Sequence, residues 1–469
     1  MKKKMTVWLL ALALGGSLLA TAAFAGESAN SHMPEEPREE EQTEEADAAE
    51  SPQTEGGAGE TAEQEPPTTG EETAPVQEGT LTTGGFNPEL SVLQPDPAGQ
   101  LSFGNMESRM RENNLQILAL QGNIDTIEDI DYDELYEDLR QQLNEIAKAQ
   151  WGLVTIPPGM VGEYERDKTY DQLEQAYDAV REKFDAIKEG DMQKDNADLV
   201  RQLTNLQDQI VVAGESTYIA LQAMEIQEEQ LQRQLAALNR TTEEMELRYQ
   251  MGQVSALQLQ QTKAGRTQLQ SGLETLRMNI RSLKTQLEQL IGAQQTGEIV
   301  LGAVPEVREK QLAAMDLEKD LLAYQAKSYD LYDAAKTLED AQETYKDDAS
   351  EYGYNEEKYG FRAAKRTWET AQYTYNNTLQ TYELKFRALY AQVLDNKQVL
   401  DSAKVSLECE KASYAAAELR HRQGTISENA LLDAKDSLQQ AEETVRIASN
   451  ELFSSYNTYR WAVEHGVLN

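Results

Sequence analysis

Glu246-Leu247-Arg248-Tyr249-Gln250-Met251-Gly252-Gln253-Val254-Ser255 returns later in the chain as Glu418-Leu419-Arg420-His421-Arg422-Gln423-Gly424-Thr425-Ile426-Ser427. Glu, Leu, Arg, Gly and Ser coincide, and Val254 matches Ile426. Glycine is the favoured residue just past a helix end, because without a Cβ it adopts a left-handed conformation at little cost. Serine three positions on caps the next helix, and Ser255-Ala256-Leu257-Gln258 reads as a capping box. Each copy therefore reads as the tip of a helical hairpin.

The segments on either side carry the matching pattern. Leu269, Leu273, Leu276, Ile280, Leu283, Leu287 and Leu290 alternate spacings of four and three, the seam of a left-handed coiled coil. Leading into the second tip, Tyr375, Leu379, Tyr382, Phe386, Leu389, Val393, Leu400, Ala403 and Leu407 hold one heptad register. Leading out, Ala434, Leu438, Ala441, Val445, Ala448, Leu452, Ser455 and Tyr459 hold another. The offset that carries Gly252 onto Gly424 also carries Leu273 onto Val445 and Ile280 onto Leu452, so the register itself is repeated and implies a duplication. Long helices are predicted over about 196–250 and 366–422. Such arms outrun any compact core and must pack side by side.

Outward from the tips, breaks are predicted at 125–131, at 151–164 around Pro157-Pro158, at Gly190-Asp191, at Gly292 to Gly297, and over the Tyr- and Gly-rich 352–360. A helix is expected over about 307–346. The fold class is all-α: two duplicated long antiparallel helical hairpins, with repeat 1 over 101–305 and repeat 2 over 306–469.

The N-terminal part differs in kind. Residues 1–25 read as a signal peptide, with Lys2, Lys3 and Lys4, an apolar run, and Ala23-Phe24-Ala25 as a cleavage site. From Glu27 to Glu78 there are 17 acidic residues against the single basic Arg38, and nine of the 12 prolines lie between Pro34 and Pro97. Residues 26–100 are therefore expected to be a disordered acidic Pro/Glu-rich linker, because they cannot bury enough apolar surface to offset their ordering entropy. The net charge of −39 argues against nucleic acid as a partner. Cys409 is the only cysteine, so no internal disulfide forms and stability rests on packing.

No catalytic constellation emerges. His32, His421 and His465 are too scattered for a metal site, and Ser255 and Ser427 are explained as caps. The expectation is a protein that is not an enzyme, with no cofactor and no metal.

The duplicated tip resembles that of the TolC-like outer-membrane efflux family, in which each of two repeats turns through an Arg-Tyr-x-x-Gly-x-x-Ser pattern. Arg248, Tyr249, Gly252, Val254 and Ser255 match in repeat 1. Arg420, Gly424, Ile426 and Ser427 match in repeat 2, with His421 in place of Tyr. The resemblance covers about residues 105–469. It implies a homotrimer forming a helical tunnel, tips that dock a periplasmic-type adaptor protein, an inner-membrane transporter as energy source, and an exported chain of the cell envelope. It also implies pore-entrance acids six and nine positions after the second glycine. Ala430 and Asp433 stand there, so only Asp433 matches, and Gln258 and Gln261 hold the positions in repeat 1.

The family also inserts a pair of membrane-barrel strands into each repeat. The equivalent intervals, about 151–195 and 345–365, lack the roughly nine to eleven residues of alternation such strands need. A tunnel without a barrel is expected. Trp151 and Trp368 flank those intervals, where interface aromatics would sit and where core packing would equally place them. Two readings stay open: an efflux or secretion duct component, favoured by the duplicated tip, and an exported coiled-coil spacer with no conduit, favoured by the missing strands.

Overall fold

The structure, a computed structural model, describes residues 96–97, 99–157 and 162–468. The signal peptide and most of the acidic linker lie outside the described residues, as do Pro158 and Gly159. The elements run β1 (Gln100–Leu101), α1 (Phe103–Asn113), α2 (Leu115–Glu128), α3 (Tyr132–Val154), α4 (Glu163–Glu189), α5 (Asp191–Gln250), α6 (Ala256–Leu290), β2 (Val300–Leu301), α7 (Glu309–Ala313), α8 (Leu317–Lys327), α9 (Tyr329–Glu351), α10 (Tyr359–Arg422) and α11 (Glu428–His465). The predicted all-α class holds. The two short strands pair in parallel and tie the start of the described chain to the segment after α6.

Four long arms make the frame. α5 has 60 residues and α10 has 64, roughly 90 and 96 Å of helix. The seams do what their spacing requires. Leu273, Leu276, Ile280 and Leu287 are buried against α5, while Phe386, Leu389, Val393 and Leu400 are buried with Ala448 and Leu452 of α11.

The two hairpins meet through α5 and α11. Glu229 pairs with Arg446, Arg233 with Glu443 at 2.6 Å, and Arg240 with Asp436. Residue numbers rise on one helix as they fall on the other, so these two arms are antiparallel. The four arms thus lie in the order α6, α5, α11, α10. Each of the outer pair, α6 and α10, packs along its length on one long neighbour only.

The shorter helices brace the end of α5 remote from the tips. α1 crosses α5 at Gly214, where a Cβ would stand 2.5 Å from Met110 Sδ, so a larger residue there would have to push the buried Met110 side chain aside. Phe103 of α1 sits edge-on between Tyr218 and Phe453. The Tyr218 hydroxyl reaches the carbonyl oxygens of Gly302 (2.6 Å) and Leu101 (3.1 Å), clamping both strand ends. After α6 the chain doubles back around Glu288. This buried carboxylate accepts the backbone N–H groups of Thr296, Gly297, Glu298 and Ile299 and the Thr296 hydroxyl.

Two sequence expectations need correction. The helix expected over 307–346 is three helices, because Asp316 and Ser328 turn their side chains onto Lys319 N and Leu331 N and restart the helix each time. Asn114 does the same between α1 and α2, accepting from Gln116 and Ile117. The long helix expected from Asn196 begins at Asp191, immediately after Gly190, whose φ of +81° ends α4. The intervals 151–195 and 345–365 are helical at their described residues, apart from short connections, and hold no strand. α3 with α4, and α9 with the first part of α10, form two further hairpins.

Candidate functional site: the paired hairpin tips

Both tips close with the same hydrogen bonds. At the first, Met251 caps α5, Gly252 N–H donates to Tyr249 O (2.9 Å) and Gln253 N–H donates to Arg248 O (2.8 Å). At the second, Gln423 caps α10, Gly424 N–H donates to His421 O (2.8 Å) and Thr425 N–H donates to Arg420 O (3.0 Å). This is the Schellman arrangement, and it requires a left-handed residue between the two bonds. Gly252 and Gly424 supply it, at φ +74° and +71°. The repeated arginine is thus the residue whose carbonyl closes the turn. Its side chain stays at the surface, and that of Arg248 pairs with Glu244.

The restart is also shared. Ser255 Oγ accepts from Gln258 N–H (3.3 Å) and Gln258 Oε1 accepts from Ser255 N–H (3.0 Å), the capping box expected from the sequence. Ser427 Oγ accepts from Ala430 N–H (3.2 Å), and the Ala430 methyl cannot complete a box. Val254 and Ile426 are half-buried inside their turns.

The tips also stand level. Gly252 follows Arg240 by the same length of chain by which Gly424 precedes Asp436, the ion-pair partner of Arg240. The helix ends at the turns, Gln250 and Glu428, are therefore about 15 and about 12 Å past Arg240 and Asp436, the last ion pair between the hairpins. The described structure brings the predicted residues of both copies to one end of the molecule.

Polar anchors and apolar surface alternate there. Lys263 pairs with Glu246 at 2.6 Å and, through that hydrogen bond, holds the Glu246 carboxyl below its ordinary value. Arg422 pairs with Glu418 at 3.0 Å. Leu247, Tyr249, Met251 and Leu257 are exposed at the first tip, and Leu419 at the second. Sequence reasoning singles out Tyr249 but not Leu247, Met251 or Leu257. Their signal is apolar side chains off the seam register beside a turn. Asp433 is exposed in the second turn of α11, three residues before Asp436 and so on the same side of the helix as the Asp436 and Glu443 positions that pair with α5. Among the described residues no cluster of potential metal ligands occurs.

No family model matches this sequence, and no curated protein does. Solved structures similar to the chain include the outer membrane protein VceC of Vibrio cholerae, at 12% identity over 78% of this chain and 95% of that chain, TM-score 0.43. A second is the open-state MtrE outer membrane channel of Neisseria gonorrhoeae, at 13% identity over 78% of this chain and 89% of that chain, TM-score 0.44. A third is the transmembrane channel protein CusC, at 12% identity over 78% of this chain and 96% of that chain, TM-score 0.43.

Proposed function

We propose that this chain is a subunit of a TolC-like efflux or secretion duct of the cell envelope, built from two repeats (101–305 and 306–469). The observation that carries this reading is the pair of tips: one turn in each repeat, closed by the same bonds and set level at one end of a row of four arms. A spacer needs seams along its length but no matched turns at one end. The row also leaves α6 and α10 with one long neighbour each, so copies of the chain joined α6 to α10 would close a helical ring. Three copies, the number the resemblance to the TolC-like family implies, bring twelve arms and six tips.

In this reading Arg248, Tyr249, Gly252, Val254 and Ser255, with Arg420, Gly424, Ile426 and Ser427, shape the surface that receives an adaptor protein. The exposed Leu247, Met251, Leu257 and Leu419 provide apolar contact. Asp433 borders the aperture, where a ring of carboxylates would favour cations over anions. The chain contributes a conduit, and an inner-membrane transporter reached through the adaptor supplies the energy.

Light scattering on the purified chain tests the ring: a mass near three times 52.6 kDa is expected. A monomer at every concentration, with and without adaptor, would sink the duct. The tips are tested separately with Gly252→Val and Gly424→Val together. A β-branched residue at these φ values costs about 1–3 kcal/mol per site, confined to the turns. Helicity should be nearly unchanged while adaptor binding is lost. Unchanged binding would leave the tips as turns only.

A further inference from the structure

The last turns of α11 meet charged groups from α1 and α5. Arg111 of α1 donates to Asp208 Oδ1 of α5 at 2.7 Å, and His465 Nδ1 stands 3.2 Å from Oδ2 of the same carboxylate. Each cation thus has its own oxygen. Arg111 also pairs with Glu107 at 2.9 Å. Two turns further along α5, the Glu215 carboxylate faces the same helix. Its side chain is 2% exposed and accepts from Trp461 Nε1 and Asn457 Nδ2, with the Arg460 guanidinium at 3.6 Å. The rings of Trp461 and His465 lie 4.4 Å apart, which joins the two carboxylate sites into one cluster.

The cluster sits where the chain stitches its two cores together. Gly466 follows His465 at φ +74° and lies so close to α8 that a Cβ would stand 2.4 Å from the Lys327 carbonyl carbon. Lys327 Nζ in turn donates to the carbonyl oxygens of Val463 (3.1 Å) and Glu464 (2.9 Å). The turn then sends Val467 into the core of α1, α5 and α6, and Leu468 into the core of α8, α10 and α11. Whatever holds His465 in place therefore also holds that stitch.

We propose that this cluster is a proton-operated clasp: acidification tightens the hold of α11 on α1 and α5, and a rise through neutral pH loosens it together with the stitch. Histidine is the side chain whose charge ordinarily changes between about pH 5 and 8. The His465 side chain is 36% exposed, enough to exchange its proton with water. An imidazolium there faces Asp208, the negative end of α11 and the indole of Trp461, and neutral imidazole makes all three contacts more weakly. Arg111 opposes it as a like charge, from the other oxygen of Asp208. Burial pushes the Glu215 carboxyl up, with Glu107 adding to the effect, against Asn457, Arg460 and Trp461. The stability that goes with a raised carboxyl is present at low pH and lost as pH rises, so Glu215 acts in the same direction as His465. Burial also pushes Asp208 up, but the hydrogen bonds from His465 and Arg111 outweigh it and hold that carboxyl below its ordinary value, so the anchor of the clasp stays charged. The charged groups facing the clasp are thus Glu107 and Arg111 of α1, Asp208 and Glu215 of α5, Arg460 of α11 and, at the helix end, Lys327 of α8. The clasp lies apart from the tips and does not depend on the duct reading.

Hydrogen exchange of the full chain, read by mass spectrometry and corrected for the pH dependence of exchange in unstructured peptides, tests the clasp. Peptides spanning 455–468 should be protected about tenfold more at pH 5.5 than at pH 7.5. Glu215→Gln with His465→Gln keeps polar side chains in place and should lose most of that difference. A second readout leaves the cluster intact: with Trp8, Trp151 and Trp368 replaced by Phe, the emission of Trp461 should follow the same pH profile. Wild-type protection that is equal at the two pH values, or greater at pH 7.5, overturns the proposal. A double variant that keeps the full difference overturns it too, as does Trp461 emission that is flat between pH 5.5 and pH 7.5.

Discussion

Replacing Arg233 with methionine tests the order of the arms directly. Its guanidinium spans α5 and α11, donating from Nη2 and Nε to the Glu443 carboxylate (2.6 and 3.2 Å) and from Nη1 to Asp436 O (3.3 Å). The side chains are only 15% and 8% exposed, so water can stand in for neither partner. Removing one member of a buried pair costs about 3–5 kcal/mol, chiefly because the other is left uncompensated. The residual exposure of Arg233 puts R233M near the lower end, about 3 kcal/mol. E443L should cost about 2–3 kcal/mol, since a freed arginine can bend its tip toward solvent. The double variant replaces a pair by apolar side chains and should fall within about 1 kcal/mol of wild type. The coupling energy of the cycle is then about 4–7 kcal/mol. Urea unfolding followed by far-ultraviolet circular dichroism, compared at one denaturant concentration, reads all four corners. A coupling below about 0.5 kcal/mol would refute the reasoning, because it would mean that α5 and α11 are not neighbours in solution.

Two further outcomes concern buried carboxylates of opposite behaviour. Glu215 accepts from Trp461 Nε1 (2.6 Å) and Asn457 Nδ2 (2.7 Å), and burial pushes its carboxyl above the ordinary value. A raised carboxyl contributes stability below its unfolded value and loses it as pH rises, so the urea midpoint of Glu215→Gln should gain on wild type between about pH 4 and pH 7. A Glu215→Gln midpoint that falls relative to wild type over that range would contradict this. At Glu288 burial acts upward too, but the N–H groups of Gly297 and Thr296 and the Thr296 hydroxyl together outweigh it and hold the carboxyl below its ordinary value. Its stabilisation is present above the unfolded value and disappears as pH falls below about 4.5. Glu288→Ala strands four backbone N–H groups and should cost about 3–5 kcal/mol at neutral pH and clearly less at about pH 3, by the same urea measurement.

Much of this protein is legible residue by residue. The tips are legible because a Schellman turn needs glycine at one position and an N-cap needs serine or a similar residue three positions on. Both requirements are local and occur twice. The seams are legible because a heptad repeat is a property of one helix. The restarts at Asn114, Asp316 and Ser328 are not, because an isolated Asn, Asp or Ser inside a helical pattern reads equally as a surface residue. Its side chain declares itself a cap only when the backbone turns. The approach of α1 to α5 is equally hidden, since nothing around Gly214 in sequence announces Met110.

The sequence by itself determined the helical class, the two hairpins and their turns, since each depends on spacing and conformational preference over short range. The tertiary structure decided which arms are neighbours, that the tips stand level, and that Trp151 is bare while Trp368 is packed. Those facts rest on contacts such as Arg233 with Glu443, far apart along the chain, which no local periodicity encodes. The apolar stripe of a long helix specifies that it must be covered, and only the folded chain specifies by what.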